Sequence, residues 1–298
     1  MPHHHDHAPR DYGRAFAIGV ALNLAYVAVE AGYGLATGSL ALLSDAGHNL
    51  SDVVGLLLAW GGHALAKVPP TSRHTYGWRF ATVLAALSNA LLLVAAVGAI
   101  AFEAISRFSA PVPIAGTPII VVAAIGVVVN ALTALLFWSG RKRDLNLKGA
   151  FLHMAADAGV SVGVIVAGLA ISATGWAWID PVTSLAIAAI IFVGTWGLLK
   201  ESANLAIQGT PEGIEPHEVE RCLAALEGVD GVHDLHIWAI STQETALTAH
   251  LVKPRVEDDD ELLRRAETEL HERFGIEHTT IQIERNGIEC GQRRARSF

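Results

Sequence analysis

Of the 298 residues, 52% are hydrophobic and only 17% charged, with a mean hydropathy of +0.40, which excludes an ordinary soluble enzyme and points to a membrane protein. The net charge of -8 sits toward the C-terminus, where residues after 210 hold 19 of the 29 acidic side chains against 10 of the 21 basic ones, so a nucleic-acid-binding surface is excluded. Cys222 and Cys290 lie in this polar third and form no disulfide framework, which predicts reduced thiols facing a cytoplasm.

Residues 1–13 form a His-containing N-terminal segment without the order of a signal peptide. Its histidines, His3, His4, His5 and His7, read as a weak metal collector or a tag remnant, and their interruption by Asp6 favours a native, disordered segment. Six windows then have the length and apolarity of spanning helices: 14–36, 40–66, 79–105, 117–138, 147–172 and 181–207. The expected architecture is an α-helical membrane protein with six transmembrane helices over 14–208. Arg10, Arg14, Lys67, Arg73, Arg79, Arg141, Lys142, Arg143 and Lys148 flank one side of these spans and only Arg107 the other, which predicts cytoplasmic termini. Trp60, Trp78, Trp138, Trp176, Trp178 and Trp196 lie mainly toward span ends, as interfacial aromatics do.

Ionisable groups inside such spans demand a partner. The second span reads "LSDAGHNLSD", with His48 and Asp52 four apart and therefore on one helix face. The fifth repeats the device in "HMAAD", with His153 and Asp157. Two such helices packed together present two imidazoles and two carboxylates, a complete tetrahedral set for Zn²⁺. No Lys or Arg in the span cores pairs the acids instead. Asp45, one turn before His48, is expected to face the same cavity, where it orients the imidazole, attracts cations or carries protons rather than ligating directly. Asn49, Asn23 and Glu30 either line that route or hold helices together, the second reading being favoured for the asparagines. His63 and Glu103 lie near span ends and are expected to reach water.

After "QGTPEG" at 208–213 the pattern becomes that of a small α+β domain, 209–290, in the order αββαβ, followed by a tail at 291–298. Helices are expected at about 216–226 and 259–274, and strands near 232–240, 245–253 and 277–285. Asp258 to Asp260 suit the start of the second helix and Gly275 its end. So small a domain has a thin core, which pairing with a second copy would help.

Taken with "SLALLSDAGHNLSD", "RHTYGW", "HMAAD", "DPVTS", "GVHDLHIW" and "TTIQIE", the chain resembles the cation diffusion facilitator family, in particular its zinc-transporting branch, over nearly its full length. The resemblance implies a homodimeric, proton-coupled antiporter that exports divalent metal from the cytoplasm, with a ferredoxin-like cytoplasmic domain that binds regulatory metal. It places the transport site on His48, Asp52, His153 and Asp157, and a cytoplasmic metal site on His233, His250 and Glu284, with Asp234, His236, His278 and Cys290 as supplements. The C-x-x-C of some relatives is absent. His74 matches an additional loop site, but Trp78 and Arg79 stand where relatives carry further histidines. That site is therefore read as incomplete, with Arg79 as a positive-inside anchor or a charge contact with the tail domain. A bacterial inner membrane is the expected location.

The nitrogen-and-oxygen ligand set suits Zn²⁺, with Cd²⁺ or Co²⁺ as alternatives, and disfavours ions that want six oxygens. Three rivals are weaker. An intramembrane metal-dependent hydrolase lacks an H-E-x-x-H, a haem protein has no use for an acid one turn from each histidine, and a metal sensor would bind without flux.

Overall fold

The computed structural model describes residues 13–109, 116–138 and 145–285. The N-terminal histidines, Arg10, Arg141, Lys142, Arg143 and Cys290 lie outside the described residues, as do the side chains of Arg14, Asp52, Trp60, His63, Lys148 and His153. Eight helices and three strands occur among the described residues: α1 (Gly13–Thr37), α2 (Leu40–Ala66), α3 (Ala81–Ser109), α4 (Gly116–Trp138), α5 (Leu145–Thr174), α6 (Ile179–Ala206), α7 (Pro216–Ala224), β1 (Gly231–Ala239), β2 (Thr245–Val252), α8 (Asp259–Phe274) and β3 (Ile276–Glu284). α1, α3, α4, α5 and α6 are long and apolar enough to cross a membrane, so the chain is a multi-pass membrane protein. α2 has 27 residues, but Asp45, His48, Asn49, Ser51 and Asp52 interrupt its apolar run.

Two compact units result, one drawn from Met1–Leu56 and Leu91–Thr195, the other from Leu57–Ala90 and Trp196–Phe298. In the first, α4 packs against α5 and α1. Lipid tails are as apolar as leucine, so association here depends on close fit rather than on escape from water. Glycine supplies that fit at two places. A Cβ on Gly126 would collide with the Tyr26 hydroxyl and lie 3.0 Å from Ser161 Oγ, and one on Gly116 would strike Gly168 and Ser172. Tyr26, Leu42, Ile119, Val122 and Val164 are buried in the resulting core, while Leu35, Phe102 and Val193 stand exposed on the outer surface, where lipid belongs.

The second unit contains a three-stranded mixed sheet in the order β1-β2-β3, with β1 antiparallel and β3 parallel to β2. Leu247, Ala249 and Leu251 alternate along β2 and meet Leu262, Ala266 and Leu270, spaced by four on α8, together with Val219 and Leu223 of α7. Gly275 ends α8 at φ 65, and its N–H donates to the His271 carbonyl at 3.0 Å. α8 starts where the three aspartates predict, with Asp259, Asp260 and Glu261 in its first turn, but without a side-chain cap. Asp258 has φ 60 and makes no side-chain cap, and the carboxyl of Asp259 is engaged by Lys253 at 2.8 Å and by Arg285. Asp259 is therefore held by charge-assisted contacts to cations.

Candidate metal sites

His48 on α2 and Asp157 on α5 come together, with Nε2 3.2 Å from Oδ1. Two ligand atoms about 2.05 Å from a tetrahedral ion lie about 3.3 Å apart, so this pair is already spaced as one edge of such a shell. Asp157 is buried and His48 partly so. Asp52 stands one turn after His48 in α2, and His153 one turn before Asp157 in α5.

A chain of buried polar groups adjoins the pair. Tyr26 donates to Glu30 Oε1 at 2.6 Å, and Asn49 Nδ2 reaches Glu30 Oε2 at 3.4 Å and the Asp45 carbonyl at 3.0 Å. Ser161 Oγ donates to Asp45 Oδ2 at 3.2 Å. Asp45, Glu30 and Asn49 are all buried, and the chain joins α1, α2 and α5. Asn49 thus acts as helix glue, and Asp45 faces α5, one turn of that helix from Asp157. Asn23 Nδ2 contacts Met154 Sδ at 3.7 Å. Glu103, at the end of α3, reaches the surface and pairs with Arg107.

A third polar centre escaped sequence reasoning. Asp180, buried at the start of α6, accepts from Ser39 Oγ at 2.7 Å and from the backbone N–H groups of Leu40 at 2.9 Å and Ala41 at 3.1 Å. It therefore caps α2, a helix to which it does not belong, satisfying donors that a helix start leaves open. Arg107 Nη1 lies 3.7 Å from its Oδ2 and also donates to the Gly38 carbonyl. The available signal was an aspartate before a proline at the start of an apolar run, opposite the single Arg flanking that side.

In the second unit, His233 is paired with His250 across β1 and β2. Between His233 and His236 the register slips, and Asp234 adopts φ 51. This bulge matters because strict alternation puts His233 on the same side as Leu235 and Ile237, which face the core. The extra residue turns His233 to the opposite face, beside His250 and Glu284. There Glu284 bridges the two imidazoles, with Oε2 3.1 Å from His233 Nε2 and Oε1 3.0 Å from His250 Nδ1. One donor atom from each of the three residues lies within 4.8 Å of the others, a fit for a metal held by nitrogen and oxygen. Asp234 lies 3.6 Å from His250 Nε2 and 3.1 Å from His236 Nε2.

The other candidates fall elsewhere. His278 faces Arg79 at 3.3 Å and Tyr76 edge-on, apart from the three clustered donors. His74 stacks on Trp78. Arg79 pairs with Glu244 at 2.7 Å, the charge contact expected of it. Cys222 is buried against α8, where burial pushes its thiol up despite Arg273 at 3.2 Å, so it is a poor source of a thiolate ligand.

Comparison with known proteins gives consistent matches. The profile of the cation efflux transmembrane domain matches residues 16–205, and that of the cation efflux protein cytoplasmic domain matches residues 211–286. Over 283 residues the chain is 39% identical to the cation efflux system protein CzcD of Alcaligenes sp. (strain CT14), covering 95% of this chain and 89% of that one. It is 37% identical over 285 residues to the cadmium, cobalt and zinc/H(+)-K(+) antiporter of Bacillus subtilis (strain 168), covering 94% and 91% respectively. It is 36% identical over 291 residues to zinc transporter ZitB of Escherichia coli (strain K12), covering 95% and 93%.

Proposed function

The chain belongs to the cation diffusion facilitator, or cation efflux, family, and from that premise we propose that it exports zinc from the cytoplasm in exchange for protons, by alternating access at His48, Asp52, His153 and Asp157. It is a transporter, not an enzyme. The observation that carries the site assignment is the 3.2 Å approach of His48 to Asp157 across two helices. Only deprotonated imidazoles and carboxylates hold the metal, so Zn²⁺ and H⁺ compete for the same lone pairs. On the acidic side protons displace the ion; on the less acidic cytoplasmic side they leave and the ion returns. The site needs only two orientations of the surrounding helices.

In this reading α2 is the sixth span, its polar residues answered by the ion, and residues 14–208 form the membrane domain of a bacterial inner-membrane protein with cytoplasmic termini. Residues 209–290 form a ferredoxin-like cytoplasmic domain through which two copies pair. His233, His250 and Glu284 hold a regulatory metal there, supported by their convergent donor atoms. Zn²⁺ is the preferred cargo because mixed nitrogen and oxygen donors at tetrahedral spacing suit it, with Cd²⁺ and Co²⁺ as poorer fits.

The test is metal-dependent proton flux in proteoliposomes carrying a pH gradient. Wild type is expected to move Zn²⁺ and protons in opposite directions, and Asp157→Ala to lose transport while keeping its oligomeric state by light scattering. Full flux in Asp157→Ala overturns the site assignment; uptake indifferent to the pH gradient overturns the coupling.

A further inference from the structure

Asn130, on α4, is wholly buried, and neither its Oδ1 nor its Nδ2 has a hydrogen-bond partner among the described residues. A buried amide with both atoms unsatisfied signals a partner that is not a protein group. Its neighbour Thr133 differs, since that hydroxyl donates to the Val129 carbonyl at 2.8 Å. Packing of α4 on α5 shows where Asn130 stands. Gly116 lies against Gly168 and Ser172, and Gly126 against Ser161, so the two helices run antiparallel in a fixed register. One turn on from 126 is 130, and one turn back from 161 is 157. Asn130 is therefore level with Asp157, and hence with His48, which Asp157 contacts. Asn23 of α1 is near the same level, since it meets Met154, three residues before Asp157.

We propose that Asn130 is a specificity-determining residue of the transport site, its Oδ1 serving as an additional oxygen donor for ions that take more than four ligands. This rests on the transport-site assignment above. Zn²⁺ fills a four-ligand shell from two imidazoles and two carboxylates and leaves Asn130 unused. Mn²⁺ prefers oxygen donors and a larger shell, and draws on the amide carbonyl. α4 thereby sets how far the site admits ions other than Zn²⁺, although it carries none of the four ligands.

The experiment uses the full-length protein with His250→Ala to silence the cytoplasmic cluster, and compares Asn130 with Asn130→Leu by Zn²⁺ and Mn²⁺ titration and by the visible absorption of bound Co²⁺. Asn130→Leu is expected to leave Zn²⁺ affinity within about twofold, to weaken Mn²⁺ about tenfold and to strengthen the Co²⁺ band as its shell drops to four. Where leucine prevents folding, Asn130→Asp replaces it, with the opposite expectation: Mn²⁺ tighter relative to Zn²⁺. An unchanged Mn²⁺-to-Zn²⁺ ratio and Co²⁺ spectrum overturns the role of Asn130, and means the amide holds a water instead. In the same background Asp157→Ala should remove one equivalent of Zn²⁺ binding from the titration; if it does not, the transport-site assignment fails, a separate outcome.

Discussion

His48 of α2 and Asp157 of α5 meet at 3.2 Å although 109 positions separate them in the chain. An imidazole and a carboxylate so placed form either a hydrogen bond or, with an ion between them, one edge of a coordination shell. A site that exchanges protons for metal uses both states.

Replacing His48 with Asp substitutes an oxygen for the imidazole nitrogen while keeping a ligand at that point. Selectivity is expected to broaden toward Cd²⁺ and Mn²⁺. Metal competition in vesicle transport checks this, and an unaltered order of inhibition by the two ions counts against it.

Asp180→Ala removes the acceptor for Ser39, Leu40 and Ala41 and leaves Arg107 with Glu103 as its carboxylate partner. The expected loss is about 2–3 kcal/mol, with Asp180→Asn costing about 1 kcal/mol because an amide oxygen still accepts. Thermal unfolding in detergent reads both, and equal effects of the two substitutions would show that charge rather than capping is what matters.

His250→Ala removes one of the two imidazoles bridged by Glu284 and is expected to weaken metal binding at the cytoplasmic cluster at least about tenfold, since even indirect support of a ligand is worth that much. Added Zn²⁺ is expected to raise the unfolding temperature of the wild type, that rise should shrink in the variant, and a chelator should make the two alike. A metal-induced shift of full size in His250→Ala would mean that the ion sits elsewhere.

A contribution to acid sensitivity is expected from the first turn of α8. Lys253, then Arg285, hold the Asp259 carboxyl below the usual carboxylate range, while Arg264 and Arg265 lower Glu261 from 4.5 to about 2. A carboxylate depressed in the fold adds stability above its unfolded value and loses it as pH falls through the folded one. For Glu261 that window runs from about pH 4.5 down to about 2. With chelator present throughout, Asp259→Asn and Glu261→Gln should flatten the fall in unfolding temperature over this range. A slope identical to wild type would assign the acid sensitivity to other groups.

Helix positions were legible in the sequence because spans are set by length and apolarity, which is local information; α2 begins and ends where its apolar window does. The αββαβ order of the tail was legible for the same reason, through strand alternation and the glycine that ends α8. The convergence of His233, His250 and Glu284 was not written in their spacing, since it depends on a bulge that re-aims one histidine. The cap from Asp180 was missed because it joins residues about 140 apart. Asn130 was overlooked as one polar residue in the run "VVVNALTALL", although a lone amide in a helix so apolar was itself a signal. The aspartates at 258–260 marked the start of α8, but composition cannot show that Asp258 adopts a left-handed backbone without capping, nor that Asp259 is taken by Lys253 and Arg285.

The tie between Asp180 and the first residues of α2 also fixes the kind of motion open to that helix. With Leu40 and Ala41 hydrogen-bonded to α6, sliding of α2 along its axis breaks two bonds at once, whereas rocking about that end keeps them. Residue 48 lies about 12 Å down the lever from residue 40, so a swing of about 10° carries its imidazole about 2 Å, on the order of one metal–ligand bond. For the transport site proposed above, a small tilt hinged at the far end is enough to make or undo the grip on an ion.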